Sequence, residues 1–176
     1  MTDIPELVLS EPLLLGALTV LVIVGAHYQR GLTYREFRFA HVAKCYAFAV
    51  LDPWARKRGR PLVRTKGDAD YVHRVSVGPR EVCRRLCRGG FSPHLIATAK
   101  RRRTSASHQW AHSQWVCYHD DGTQTEVYLF PSPSGNVTDV YAHVEGAITD
   151  PEAHLTEDQR HGDARGAYAA IANSDP

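Results

Sequence analysis

Four residues in the middle of the chain have the spacing of a metal site: Cys83-x3-Cys87 and, further on, His108-x3-His112. Two thiolates and two imidazoles could supply the tetrahedral N/S set that zinc prefers, tying a helix to the following strand. The stretch between the two pairs exceeds the roughly dozen residues of compact two-Cys, two-His sites. Cys83 and Cys87 also share the apolar side of a predicted helix, where thiols serve as small hydrophobes. Core thiols are therefore the expected role, and no metal or other cofactor is expected.

A second constellation is acid–base in type. His143 and Glu145 fall on one face of a predicted strand, as do Asp139 and His143. A carboxylate–imidazole pair can move a proton at neutral pH, but such pairs are more often ordinary partners on a sheet. No glycine-rich phosphate loop, nucleophile elbow or His-Glu-x-x-His is present, and a tight turn accounts for Asp120 and Asp121. No catalytic residue, no enzymatic activity and no small-molecule substrate are expected.

The third group is basic. Arg56, Lys57, Arg58, Arg60, Arg64 and Lys66 cluster in one segment, Arg84, Arg85 and Arg88 in another, and Lys100, Arg101, Arg102 and Arg103 run together. Trp110 and Trp115 follow and could stack on bases. The net charge of +2 conceals a strong asymmetry: residues 1–29 carry −3, residues 30–103 carry +14 and residues 104–176 carry −9. A middle segment of that sign calls for an anionic partner, either lipid head groups or nucleic acid. The alternative is that it pairs with the acidic C-terminal third. Other protein subunits are further candidate partners. Four Cys are too few for a disulfide scaffold.

The elements that position these groups follow from periodicity. Residues 12–28, PLLLGALTVLVIVGAHY, are 17 residues without a formal charge. As a helix they rise about 25 Å, at the short end of what a hydrocarbon layer of roughly 30 Å requires. Acids precede the stretch and bases follow it, which predicts a single-pass membrane anchor with its N-terminus outside and the rest cytoplasmic or inside a virion. The acidic start argues against a cleaved signal peptide. The competing reading is a core or oligomerisation helix in a soluble nucleic-acid-binding protein.

A helix is predicted over 29–51, with Phe37, Ala40, Ala43, Ala47 and Val50 as its apolar stripe and Asp52-Pro53 as its end. Strands are predicted over 71–77, 95–99, 109–119, 123–130 and 137–144, with a helix at 79–88 stopped by Gly89-Gly90. Lys100–Arg103 reads as a loop, and Asp121-Gly122 as a hairpin turn. A short helix is predicted over 151–161. The resulting division is an anchor segment 1–29, a juxtamembrane helix 30–51, a basic linker 52–69, a domain 70–155 and an acidic tail 156–176. The fold class is α+β: a transmembrane helix, then a small antiparallel sheet with helices on one face.

Gly90-Phe91, the basic run, the tryptophan-bearing strand, Val127–Phe130 and Asp139–Glu145 together resemble small uncharacterised proteins encoded by haloarchaea and their viruses. The resemblance covers about half the chain and brings no known activity or site residue with it. It implies a virus- or provirus-encoded accessory or structural protein. The chain departs from salt-adapted composition, which is usually acidic.

Overall fold

The computed structural model describes residues 33–147, apart from 96 and 106, and residues 165–172. The first described element is a long helix, α1 (Tyr34–Arg56). Thr33 and Glu36 form a capping box: the Thr33 N–H donates to the Glu36 carboxylate at 2.8 Å, and the Glu36 N–H donates to the Thr33 hydroxyl at 3.4 Å. The helix runs through Pro53 instead of stopping there. Asp52 explains this, since its carboxylate accepts from the Leu62 and Val63 N–H groups at 2.8 Å and from Arg56 at 2.6 Å. The last turn is thereby clamped to the strand that follows.

That strand is β1 (Val63–Lys66), followed by a 3-10 turn (Asp68–Asp70) and β2 (Tyr71–Val75). Next come α2 (Pro79–Arg88), β3 (Ser92–Pro93), β4 (Ala99–Arg103), β5 (His108–Trp110), β6 (Ser113–Tyr118), β7 (Thr123–Pro131), β8 (Thr138–Gly146) and α3 (Arg165–Ala172). Two sheets result. One has three strands in the order β1-β4-β5, and the other five in the order β2-β8-β7-β6-β3. Within the smaller sheet β1 and β4 are parallel; the larger is antiparallel throughout.

The apolar core lies on one face of the larger sheet. Val127, Leu129, Val140, Ala142 and Trp115 meet Phe37 of α1, Val82, Cys83 and Leu86 of α2, and Ala167 and Ile171 of α3. Strand alternation sends Gln124, Glu126, Tyr128, Phe130, Asp139, Tyr141, His143 and Glu145 to the opposite face. The smaller sheet lies over that face, with Lys66, Lys100 and Arg102 against Glu126, Tyr128, Phe130, Asp139, Tyr141 and His143, and all eight residues are buried.

Several expectations are corrected here. A single sheet with one face open was expected, but the second sheet closes that face. Lys100–Arg103, expected as a loop, is strand β4, because its inward side chains Lys100 and Arg102 find carboxylates on the larger sheet. The expected strand 95–99 gives only its last residue to a strand, and 109–119 is divided at Ala111-His112 between the two sheets. Residues 52–69, expected as a linker, hold the end of α1, β1 and the 3-10 turn. The buried side of α1 is Phe37, His41, Lys44, Cys45, Asp52 and Ala55, whereas Ala43 and Val50 of the expected apolar stripe are exposed. The predicted helix 151–161 lies outside the described residues.

The membrane architecture and its single-pass localisation are corrected as well. Among the described residues no helix is long and apolar enough to cross a membrane. The long helix α1 contains Arg35, Arg38, Lys44, Asp52 and Arg56. Residues 12–28, on which the expectation rested, lie outside the described residues.

Two glycines serve the turns of the meander: Gly122 (φ 79°) between β6 and β7, and Gly135 (φ 73°) between β7 and β8. Gly78, at the start of α2, is constrained differently. A Cβ there would meet the Gly135 carbonyl oxygen at 2.9 Å, and both sides of that contact are backbone. Gly78→Ala is expected to destabilise by about 1–3 kcal/mol. Gly67, where a Cβ would meet nothing within 4 Å, provides the comparison. The urea midpoints of the two Ala variants decide the point: equal midpoints would show that the α2 start moves aside freely.

Candidate functional site

Titratable groups converge where the two sheets face each other. Glu126 of β7 lies at the centre, 3% exposed. His94 Nε2 is 3.1 Å from its carboxylate, Lys100 Nζ is at 3.6 Å, and the Tyr128 hydroxyl donates to it. On the neighbouring strand His143 is completely buried, with Nε2 3.3 Å from Glu145 and 3.8 Å from Glu126. Its Nδ1 accepts from Lys66 Nζ at 3.2 Å, so the ring proton belongs on Nε2, facing the carboxylates. Lys66 is also paired with Asp70 at 3.3 Å. Gln124 donates to Glu145 at 2.9 Å.

The electrostatics follow from this arrangement. Burial opposes the charge on Glu126, but Lys100, His94 and His143 together hold its carboxyl well below the usual range. Burial pulls Lys66 down to about 8, with Lys100 adding repulsion. Tyr128 is pushed well above its ordinary value by burial and by the Glu126 charge. The ammonium groups of Lys66 and Lys100 lie 5.1 and 5.2 Å from the centre of the Tyr128 ring, and the Arg102 guanidinium lies 5.0 Å from that of Phe130. The basic strands thus roof an aromatic and acidic sheet face through cation–π contacts as well as ion pairs.

Among the described residues, Glu126, His143 and Glu145 have the geometry of a candidate metal set, with ligand atoms within 4.8 Å of one another. The surroundings do not fit a cation. Lys100 already pairs with Glu126 and the Lys66 ammonium lies against His143 Nδ1, so a metal there would add positive charge beside two buried ammonium groups. The arrangement is an ionic network across the sheet interface, with cations on the smaller sheet and carboxylates on the larger. The proton-moving pair His143–Glu145 is real as a contact, but its groups are spent on one another.

The four residues with zinc-like spacing, Cys83, Cys87, His108 and His112, are not brought together among the described residues. Cys83 is buried against Ser113 at 3.4 Å, and burial pushes its thiol up to about 11. Cys87 and His108 are exposed, and His112 lies beside the Tyr34 hydroxyl at 3.3 Å. Cys83 is the core thiol that its helix position implied.

The basic residues divide into three groups. Lys66 and Lys100 belong to the interior, and Arg102, half-buried, pairs with Asp139 at 2.7 Å. Asp139 also takes Arg74 at 2.7 Å. The acidic strands therefore neutralise the inner part of the basic segment, in line with the pairing alternative. Arg84, Arg85 and Arg88 gather around a single carboxylate, Glu81, and Arg85 also donates to the Ile171 carbonyl at 3.0 Å. Lys57, Arg60, Arg64 and Arg103 are exposed around the smaller sheet. Arg56 and Arg58, also exposed, are anchored by Asp52 and by stacking 3.7 Å over Trp54. Arg101, half-buried, donates to the Thr65 hydroxyl at 3.1 Å.

A groove of about 270 Å³ runs between α1 and the smaller sheet, lined by Arg38, His41, Val42, Tyr46, Trp110 and His112 among others. His41 Nε2 donates to the Ala111 carbonyl at 2.9 Å, leaving Nδ1 buried without a partner. Burial, reinforced by nearby Lys44, pulls His41 down to about 3, and burial with Arg38 pulls His112 down to about 4. Both rings are neutral at pH 7.

Sequence reasoning placed His143, Glu145 and Asp139 on one face but missed Glu126, His94, Asp70 and Tyr128. Alternation along β7 could have added Glu126 and Tyr128, but no local signal marks His94 or Asp70. No protein-family model, no curated protein and no solved structure matches this chain.

Proposed function

We propose that the chain is a nucleic-acid-binding protein whose contact surface is the rim of the smaller sheet and the α1–β1 connection. One observation carries the reading: the fold sends acids inward and bases outward. Over residues 33–147, five of the ten Asp and Glu are buried, whereas eleven of the eighteen Lys and Arg are exposed and three are buried. Among the described residues the non-buried set over 33–147 therefore holds fifteen bases against five acids, and a phosphate backbone rewards such a surface without needing base-specific contacts. The converging titratable groups are engaged with each other, so the protein acts by binding and not by catalysis.

Within the basic set, Lys57, Arg60, Arg64 and Arg103 are the favoured phosphate contacts. The arginines of α2 are poorer candidates because Glu81 offsets them. The test is fluorescence anisotropy of a labelled oligonucleotide titrated with the full chain across a range of salt. Replacing Arg60, Arg64 and Arg103 together with Gln should reduce the slope of log affinity against log salt by about 3. Replacing Arg84 and Arg88 should change it by less than half as much. Salt-independent binding, or equal slopes for the triple variant and the parent, would refute the assignment.

A further inference from the structure

The groove between α1 and the smaller sheet holds polar atoms that the chain itself leaves unused. Arg38, His41, Val42, Cys45 and Tyr46 recur along α1 at three- and four-residue spacing, so one face of the helix forms a wall. Trp110 and His112, where the chain passes from β5 to β6, stand in the other wall. Arg38 Nη1, His41 Nδ1 and His112 Nδ1 are all buried without a hydrogen-bond partner among the described residues. A buried nitrogen left in that state is costly and calls for a specific cause. Three in one groove point to a common one.

The senses of these atoms define what fits. His41 donates from Nε2 to the Ala111 carbonyl, so in the neutral ring Nδ1 is an acceptor and needs a donor. The Arg38 guanidinium only donates and needs an acceptor, and no carboxylate among the described residues pairs with it. His112, whose Nε2 meets the Tyr34 hydroxyl, serves either sense according to its tautomer. The rest of the lining is apolar and in part aromatic: Val42, the half-buried Trp110 and Tyr46, which is 74% exposed. The volume of about 270 Å³ falls just short of the roughly 300–1,000 Å³ of sites for larger ligands. One flat ring system with N–H donors and carbonyl or ring-nitrogen acceptors at its edge meets all these demands. Those are the properties of a nucleobase.

We propose that the groove takes one unpaired base of a single-stranded nucleic acid, packed against Trp110 and Tyr46 with its edge read by His41 and Arg38, which rests on the nucleic-acid reading above and narrows it to strands whose bases are free. Position supports the link. Trp110 pairs with Arg101 across β5 and β4, and Arg103 lies two residues further along β4, about 7 Å away. Arg103 is exposed and is one of the favoured phosphate contacts, so a strand held there has a base within reach of the groove. A duplex keeps its bases paired and stacked and cannot offer one.

The test is fluorescence anisotropy on the full chain with two labelled probes of equal phosphate number, a single-stranded oligonucleotide and the same strand with abasic sugars in its middle. The strand with bases should bind at least about tenfold more tightly, the scale of one stacked base. Tyr46→Ser, a surface substitution, should weaken that strand at least about fivefold while leaving the abasic strand and the salt slope as they were. Equal affinity for the two probes with a steep salt slope would overturn the base site and leave the phosphate contacts standing. Salt-independent binding, or none, would remove both. A preference for bases that Tyr46→Ser leaves unchanged would also overturn the site. A second measurement needs no variant: strands carrying one 5-iodouracil, irradiated in the complex, should become joined to Tyr46 or Trp110, as located by mass spectrometry of the peptides. Crosslinks only to other residues, Trp54 included, or none at all, would refute the assignment.

Discussion

Replacing Glu126 with Gln is expected to cost about 3–5 kcal/mol, because it leaves buried ammonium groups without their counter-charge. The substitution preserves shape, so lost packing does not contribute. What remains is Lys100, 2% exposed, with its carboxylate gone, and His94 and Tyr128 facing a neutral amide. With a denaturant dependence of about 1–3 kcal/mol per molar urea, the midpoint should fall by one molar or more. Adding Lys100→Met to the same chain should restore much of the loss, since an ion pair removed as a pair need not be destabilising. The two single variants and the double close a cycle that isolates the coupling between the residues. A loss below about 1 kcal/mol for Glu126→Gln would mean that water already reaches the network.

Acidification should destabilise the protein in two separable windows. His41 is held neutral in the folded chain with its pKa at about 3, against an ordinary value of 6.5. The unfolded chain therefore takes up a proton below pH 6.5 that the folded chain refuses until about pH 3. Stability falls throughout that interval, by about 1.4 kcal/mol per pH unit for one such group. Between pH 6.5 and 4.5 His41 alone should remove about 2 kcal/mol, and His112 adds a loss of the same sign. Below about pH 4.5 the depressed carboxylates Glu126, Glu145 and Asp139 take over, because their stabilisation is present above the unfolded pKa and disappears as pH falls through the folded one. His41→Gln keeps a donor for the Ala111 carbonyl but removes the proton site. Its stability should be flatter over the first window and unchanged in slope over the second. Equal slopes in both proteins between pH 6.5 and 4.5 would show that His41 becomes protonated without unfolding.

The larger sheet was readable because its signals are local. Asp121-Gly122 and the turn at Gly135 bracket a strand whose alternation is plain, and the Pro79 start with the Gly89-Gly90 stop frames α2. The smaller sheet was not readable, since its signals are distant. Lys100–Arg103 is a charge run that looks solvated until Glu126 and Asp139 are placed opposite it, and Lys66 sits in a stretch rich in Gly, Pro and Arg. The periodicity of α1 misled for another reason. The polar residues His41, Lys44 and Asp52 face the protein beside Phe37, Cys45 and Ala55 and find partners there, while Phe39 and Val50 face outward, so polarity along α1 does not track burial. His143 and Glu145 were legible as neighbours, but their complete burial depended on the sheet that was not foreseen.

The parallel pairing of β1 with β4 bears on the order in which the chain folds. Strands β6, β7 and β8 are joined by tight turns and can assemble with little loss of chain entropy. Val63 meets Ala99 only after a long intervening segment has been closed, and His41 reaches Ala111 across a longer one still. The meander is therefore expected to form while its acidic face is still hydrated, with β1, β4 and α1 closing over it late. Water leaves Glu126, His143 and Glu145 in that last step, and opening the roof readmits it. Side chains of the roof should thus govern how fast the protein unfolds, and those of the meander how fast it folds.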